Sequence, residues 1–459
     1  MKFLHVSPRI THWVCPLFAV VAMMAMTARS CASEGTARME ELVQKHVAAQ
    51  QFTGAVLVAK RGTALFDRAY GLANREWDAP NTPATHFRIG SITKQFTAVA
   101  ILLLEERGQL ELTDLVSAHM RDAPATWSNI TLHHLLTHTS GLPNVTNDPE
   151  FFLWKSQPAT ALVMISRFRD LPLDFQAGSR HVYSNSNYIV LGHVVEKLTG
   201  QRFADFLREN VLDPLGLKAS GIDSNERILP RRASGYVRQG DQFLNASYSH
   251  MSVPHAAGAM YSTTHDLRRW AEAIFGDQLL TPASRTKLLT PVENGYALGV
   301  RVTRFQGRRI IEHGGNIAGF SSFLRHYPEE GVTVAVLSNM STRIIDDLGN
   351  ELAAAALSDD SQAKAPRTPV TVPAAILEAY CGVYQIRPGT HVTFRLVDGN
   401  LTAEPTGQEV IPVFAESETS FFFKNVNTEV EFVRNDQGRV THLMMTRDGR
   451  SRKAERMPE

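Results

Sequence analysis

Ser91-Ile92-Thr93-Lys94 opens the stretch on which the reading of this sequence turns, because it leads at once into an apolar run, Phe96 to Leu104. That run predicts a buried helix over Ser91–Arg107. Residues three apart on a helix share a face, so a hydroxyl and an amine meet one turn apart at its N-terminal end. A lysine so placed can take or relay the serine's proton. The unpaired N–H groups of the helix start can help hold negative charge that develops on a substrate. Ser-x-x-Lys alone is a weak signal, and the chain has two further copies, Ser284/Lys287 and Ser361/Lys364. Only Ser91 leads into a strongly apolar helix, and burial is what lowers a lysine pKa enough for base work.

Around this stretch the chain starts and ends in sheet with helices between. Ala37–Ala49 has helical spacing; Gly54–Ala59 and Ala64–Tyr70 are strand-like, split by Arg61-Gly62. Helices are expected over Leu132–Thr137, Ala159–Phe168, Ser186–Leu198, Phe203–Val211 and Thr264–Phe275, the last stopped by Gly276. Strands return at Arg309–Glu312, Phe320–Tyr327 and Val332–Leu337, and a helix follows over Ile344–Leu357. This order predicts an α+β unit over 33–357 whose antiparallel sheet is completed by both ends of the unit. Residues 358–373 gain prolines, lose periodicity and are read as a linker. Residues 374–459 break into short strands, the pattern of a small all-β barrel, with Phe421-Phe422-Phe423 filling it or its mouth and Cys381 packed in a strand-like stretch.

With 459 residues there is length for two or three domains, and 43% hydrophobic with 20% charged content is ordinary for a globular protein. The formal net charge is +1, with no basic stripe, which argues against a nucleic-acid partner and for a small-molecule or short-peptide substrate. Lys2 and Arg9 precede an apolar run too short to span a bilayer, followed by Ser30-Cys31-Ala32. Residues 1–32 are therefore read as a secretory signal, with export to the periplasm or medium expected and a lipid anchor at Cys31 disfavoured by Arg29. Cleavage there leaves Cys381 alone, so the mature chain has no internal disulfide.

Two further elements join Ser91 and Lys94. Tyr183-Ser184-Asn185 is the only Tyr-x-Asn in the chain. A phenol can relay a proton between nucleophile and leaving group, and an amide can hold both a lysine and a substrate carbonyl. His313-Gly314-Gly315-Asn316 closes a predicted strand, and its two glycines let a ligand lie against the strand edge and use its N–H groups. His134 and His138 stand four apart but lack a zincin-type Glu, so they are read as packing and no metal is expected.

Ser91-x-x-Lys94, Tyr183-x-Asn185 and His313-Gly314-Gly315, in that order, resemble the serine β-lactamase and penicillin-binding-protein family over about residues 38–357. The class C β-lactamase-like branch, with its D-stereospecific peptidases and esterases, is the most similar. Phe87-Arg88-Ile89-Gly90, Leu135-Leu136-Thr137-His138-Thr139-Ser140-Gly141-Leu142 and Gly258-Ala259-Met260-Tyr261-Ser262-Thr263 agree with it. The terminal β segment is similar to a lipocalin-like domain found in some members. The resemblance implies acyl transfer through Ser91, with Lys94 and Tyr183 sharing the base role in a way the sequence leaves open. It also implies an oxyanion hole from the N–H groups of Ser91 and Asn316, substrate contacts at Asn185, His313, Gly315 and Asn316, and no cofactor. Where many β-lactamases carry Lys-Thr-Gly this chain has His313-Gly314-Gly315, so slow β-lactam hydrolysis is expected. The expected activity is that of a D-stereospecific peptidase. A carboxylesterase or weak β-lactamase of the same fold, and a silent peptidoglycan- or β-lactam-binding protein, are the rivals.

Overall fold

The computed structural model describes residues 35–457 except 277, 359–368, 388–389, 407–409, 424–427, 436 and 448–449. The expected leader and most of the expected linker lie outside the described residues. Among the described residues no helix is long and apolar enough to cross a membrane.

The first strand, β1 (Gly54–Lys60), is a continuous apolar run buried at every position but its last. Such a strand belongs in the middle of a sheet covered on both faces. Its neighbour β2 (Thr63–Tyr70) buries Phe66 and Tyr70 while Arg68 is exposed, as an outer strand should. Next come helices α1 (Thr93–Glu106), α2 (Asn185–Thr199) and α3 (Thr264–Phe275). Four strands follow: β3 (Arg301–Phe305), β4 (Arg308–Ile317), β5 (Phe320–Tyr327) and β6 (Val332–Ser338). The sheet order is β3-β4-β5-β6-β1-β2. β6 pairs antiparallel with β1 from Gly54↔Ser338 to Lys60↔Val332. Both ends of the predicted α+β unit thus complete one sheet, as expected. Helix α3 and helix α4 (Ile345–Leu357) pack against β1 and β6.

Helix α1 is buried from Thr93 to Leu104, so it runs through the core rather than along its surface. Phe96 stacks on Trp270 with ring centroids 3.7 Å apart, and Trp270 Nε1 donates to Gln95 Oε1 at 2.7 Å. Each such buried apolar side chain contributes about 1.5–3 kcal/mol. Truncating Leu102, which has no exposed surface, should cost roughly 2–5 kcal/mol.

Three departures from the sequence reading bear on the site. Ser91 lies in a 3-10 turn, Gly90–Ile92, and the α-helix proper begins at Thr93. The predicted strand 309–312 runs on to Ile317, so the His313–Asn316 segment is strand rather than strand end. The middle region also holds short strands that alternation over two or three residues cannot reveal. Phe87–Arg88 pairs with Met260–Ser262, which also pairs with Gly221–Ile222.

The chain divides into two compact units: residues 1–300 with 312–326 and 330–359, and residues 301–311 and 327–329 with 360–459. In the second, a nine-stranded antiparallel sheet curls into a nearly closed barrel, its edge strands Ile411–Pro412 and Phe414–Ala415 separated by Val413 alone. Phe421, Phe422 and Phe423 are all buried, and Tyr380 stacks on Phe432 at 4.1 Å. Cys381 follows a helix, Ala374–Tyr380, rather than lying in a strand; its thiol is free.

Candidate active site

The turn that presents Ser91 is fixed by one local bond and by two to the distant Met260. Ile89 N donates to Met260 O at 2.9 Å, Thr93 Oγ1 donates to Gly90 O at 2.7 Å, and Met260 N donates to Thr93 Oγ1 at 3.1 Å. Gly90 takes φ +49°, and a Cβ there would lie 2.9 Å from Asn316 N; a Cβ on Gly315 would lie 2.0 Å from Ile89 O and 2.9 Å from Ser91 N. Both positions require glycine because β4 lies directly against the Ser91 turn.

Lys94 is fully buried. Its Nζ donates to Ser91 Oγ at 3.1 Å, Asn185 Oδ1 at 2.8 Å and Ala257 O at 2.8 Å. Among the described residues no carboxylate pairs with it. It lies 4.8 Å from the ring centre of Tyr183 and 5.5 Å from that of Tyr188. Desolvation therefore holds its pKa well below the usual lysine range. Two of its three neighbours are carbonyl oxygens, which can only accept. A neutral amine can give its two hydrogens to these and turn its lone pair to the Ser91 hydroxyl.

The ring of Tyr183 is half-buried, but its Oη is shielded from solvent and closes no full hydrogen bond. Burial raises the phenol's pKa, and the nearby Ser91 hydroxyl offsets this only in part. Tyr183 therefore stays a phenol, a proton donor. Asn185, at the start of α2, is held by Asn144 Oδ1, which accepts from its backbone N at 3.0 Å. Its Nδ2 donates to Thr146 Oγ1 at 3.3 Å.

His313 does not act alone. Its Nδ1 contacts Gly314 O at 2.6 Å and its Nε2 contacts Tyr296 Oη at 3.1 Å. Tyr296 Oη also meets His138 Nε2 at 3.2 Å, and His138 Nδ1 accepts from Ser184 N at 3.2 Å. A backbone N–H can only donate and a carbonyl only accept, so the chain has one direction. His138 Nε2–H donates to Tyr296, Tyr296 donates to His313 Nε2, and His313 Nδ1–H donates to Gly314 O. In this direction each imidazole carries a single N–H, and burial pushes the His138 pKa well below its usual value.

The structure thus gathers Ser91, Lys94, Tyr183, Asn185, His313, Gly315 and Asn316 at one place. It adds His138 and Tyr296, which the sequence reading missed. His138 was read as packing on a helix with His134, but the helix ends at Leu136 and His138 has φ +58°. A cavity of about 440 Å³ opens beside Ser91 and is lined in part by Asn185 and Asn316. A larger one, about 910 Å³, lies by Glu105 and Asp114 and contains none of these residues.

A helical region inserted into an antiparallel sheet, with a serine–lysine pair where they meet, is the architecture of the β-lactamases and transpeptidases. Residues 39–357 match the Beta-lactamase family, and the chain belongs to it. Residues 366–456 match a domain of unknown function (DUF3471). Penicillin-binding protein 4* of Bacillus subtilis (strain 168) is 28% identical over 434 residues, 88% of this chain and 94% of that one. A penicillin binding protein structure from Bacillus halodurans is 29% identical, covering 70% of this chain and 98% of that one with a TM-score of 0.62. D-amino acid amidase from Ochrobactrum anthropi SV3, at 21% identity, covers 72% of this chain and 100% of that one with a TM-score of 0.64, a likeness of fold.

Proposed function

We propose that this chain is an exported serine hydrolase that cleaves amide bonds of short peptides containing D-residues through an acyl-enzyme on Ser91. One observation carries the reading: a buried amine with no carboxylate partner among the described residues lies 3.1 Å from the serine hydroxyl, its remaining contacts on acceptor oxygens. In this mechanism neutral Lys94 takes the Ser91 proton as Oγ attacks the carbonyl carbon. The N–H groups of Ser91 and Asn316 receive the oxyanion, and the Tyr183 phenol gives its proton to the departing amine while Lys94 restores it. Water then attacks the acyl-enzyme and regenerates Ser91.

Relatives named for binding penicillin support a peptide substrate with D-residues, since a β-lactam offers a serine enzyme an amide in place of such a peptide. His313, neutral in its hydrogen-bond chain, offers no fixed charge to the carboxylate of a β-lactam, which favours peptidase over β-lactamase. Export rests on the leader read in residues 1–32. The test is a panel of D- and L-aminoacyl amides, D-Ala-D-Ala peptides and p-nitrophenyl esters. Preferential release from the D-amides or D-peptides is expected; cleavage of esters alone would make it a carboxylesterase, and no turnover with any would make it a binding protein.

A further inference from the structure

We infer that the cavity beside Ser91 receives an acyl group bearing a carboxylate, which Lys155 binds. This rests on the acyl-enzyme reading above and names the substrate class for it. Of the described residues lining this cavity, Lys155 is the only one that can carry a charge. Around it the wall is largely apolar, with Phe151, Met164, Ile189 and Val253.

Lys155 is 7% exposed, and among the described residues its Nζ has one hydrogen-bond acceptor, Ser247 Oγ at 2.6 Å, with the Phe152 ring centre at 4.8 Å. Among the described residues no carboxylate pairs with it. An ammonium has three donors, so two remain for a ligand. Its burial lowers its pKa, the cost of a cation held without an anion. Such a group in a cavity calls for an anionic partner. Its segment is held by a backbone bond, Lys155 O accepting from His250 N at 2.9 Å, and by a side-chain bond, Trp154 Nε1 donating to Asp148 Oδ2 at 3.0 Å.

The side of the nucleophile follows from the lining. It takes in Asn185 and the β4–β5 junction, Asn316 to Gly319, but neither Tyr183 nor His313. The leaving group departs toward Tyr183, so this cavity faces the acyl half of the substrate.

The experiment compares kcat/KM for the p-nitrophenyl esters of N-succinyl-D-alanine and of its neutral succinamoyl analogue, with mass spectrometry of the Ser91 peptide. The ratio of the two rates within one preparation is independent of how much enzyme is folded. The wild type should prefer the carboxylate by about tenfold or more. Lys155→Met should bring the ratio to about one, and Lys155→Arg should keep most of the preference. A wild-type ratio near one, or a ratio unchanged in Lys155→Met while both esters acylate Ser91, overturns this inference and leaves the hydrolase intact. Absence of a Ser91 adduct with either ester overturns the hydrolase reading and this inference with it.

Discussion

Lys94 Nζ stands 3.1 Å from Ser91 Oγ at the buried start of a core helix, with no carboxylate among the described residues to keep it charged. The native state therefore favours the neutral amine, whereas the unfolded chain holds its proton up to about pH 10.4. Between the lowered native pKa and that value the unfolded state binds more protons, so Lys94 makes stability rise with pH across this window. Lys94→Met should remove that rise and increase the thermal midpoint at neutral pH, while kcat/KM falls by about 10²–10⁴. Denaturant titrations at several pH values check the first part. An unchanged slope would show that Lys94 is not neutralised by folding.

Tyr183 is a shielded phenol assigned to protonate the leaving group. An amine needs that proton to depart; p-nitrophenolate does not. Tyr183→Phe should lower kcat/KM about 10²–10⁴-fold for an amide and less than about tenfold for a p-nitrophenyl ester. Equal losses on both substrates would move Tyr183 to the attack step instead.

Tyr296 joins His138 to His313 and is a positioning residue. Tyr296→Phe removes the donor that holds His313 Nε2 as an acceptor. Nitrogen NMR of His313 should show the Nδ1–H form in the wild type and a tautomer mixture in Tyr296→Phe, with KM affected more than kcat. A single unaltered tautomer in the variant would sever the proposed link.

His313 stands in β4 where a lysine would give a β-lactam carboxylate a fixed positive partner. Acylation of Ser91 by a cephalosporin should be detectable, with turnover slow or absent. Rapid steady hydrolysis measured by absorbance would contradict this.

The parts of the site that the sequence disclosed are those encoded by short, local spacing. Ser91 and Lys94 sit one turn apart, and Tyr183 and Asn185 flank a helix start, so adjacency in the chain implied adjacency in space. The long buried strands were legible because β1 is a nearly continuous apolar run and β6 alternates Val332, Val334 and Val336. His138 and Tyr296 were not, since each gains its role from a partner far along the chain: 158 residues separate the two that hydrogen-bond. The strands Phe87–Arg88 and Met260–Ser262, which brace the Ser91 turn, are too short for alternation to show. Lys155 follows an apolar run, Phe151–Trp154, and only its burial in a cavity wall with no carboxylate partner among the described residues distinguishes it from a surface lysine.

The most direct test of the central pairing is labelling with a fluorophosphonate, followed by peptide mass spectrometry and a rate profile over pH. The account predicts a single adduct on Ser91, forming at a rate that follows loss of one proton well below the lysine value of about 10.4 and that collapses in Lys94→Met. An adduct elsewhere, no adduct, or a Ser91 rate indifferent to Lys94 would contradict it.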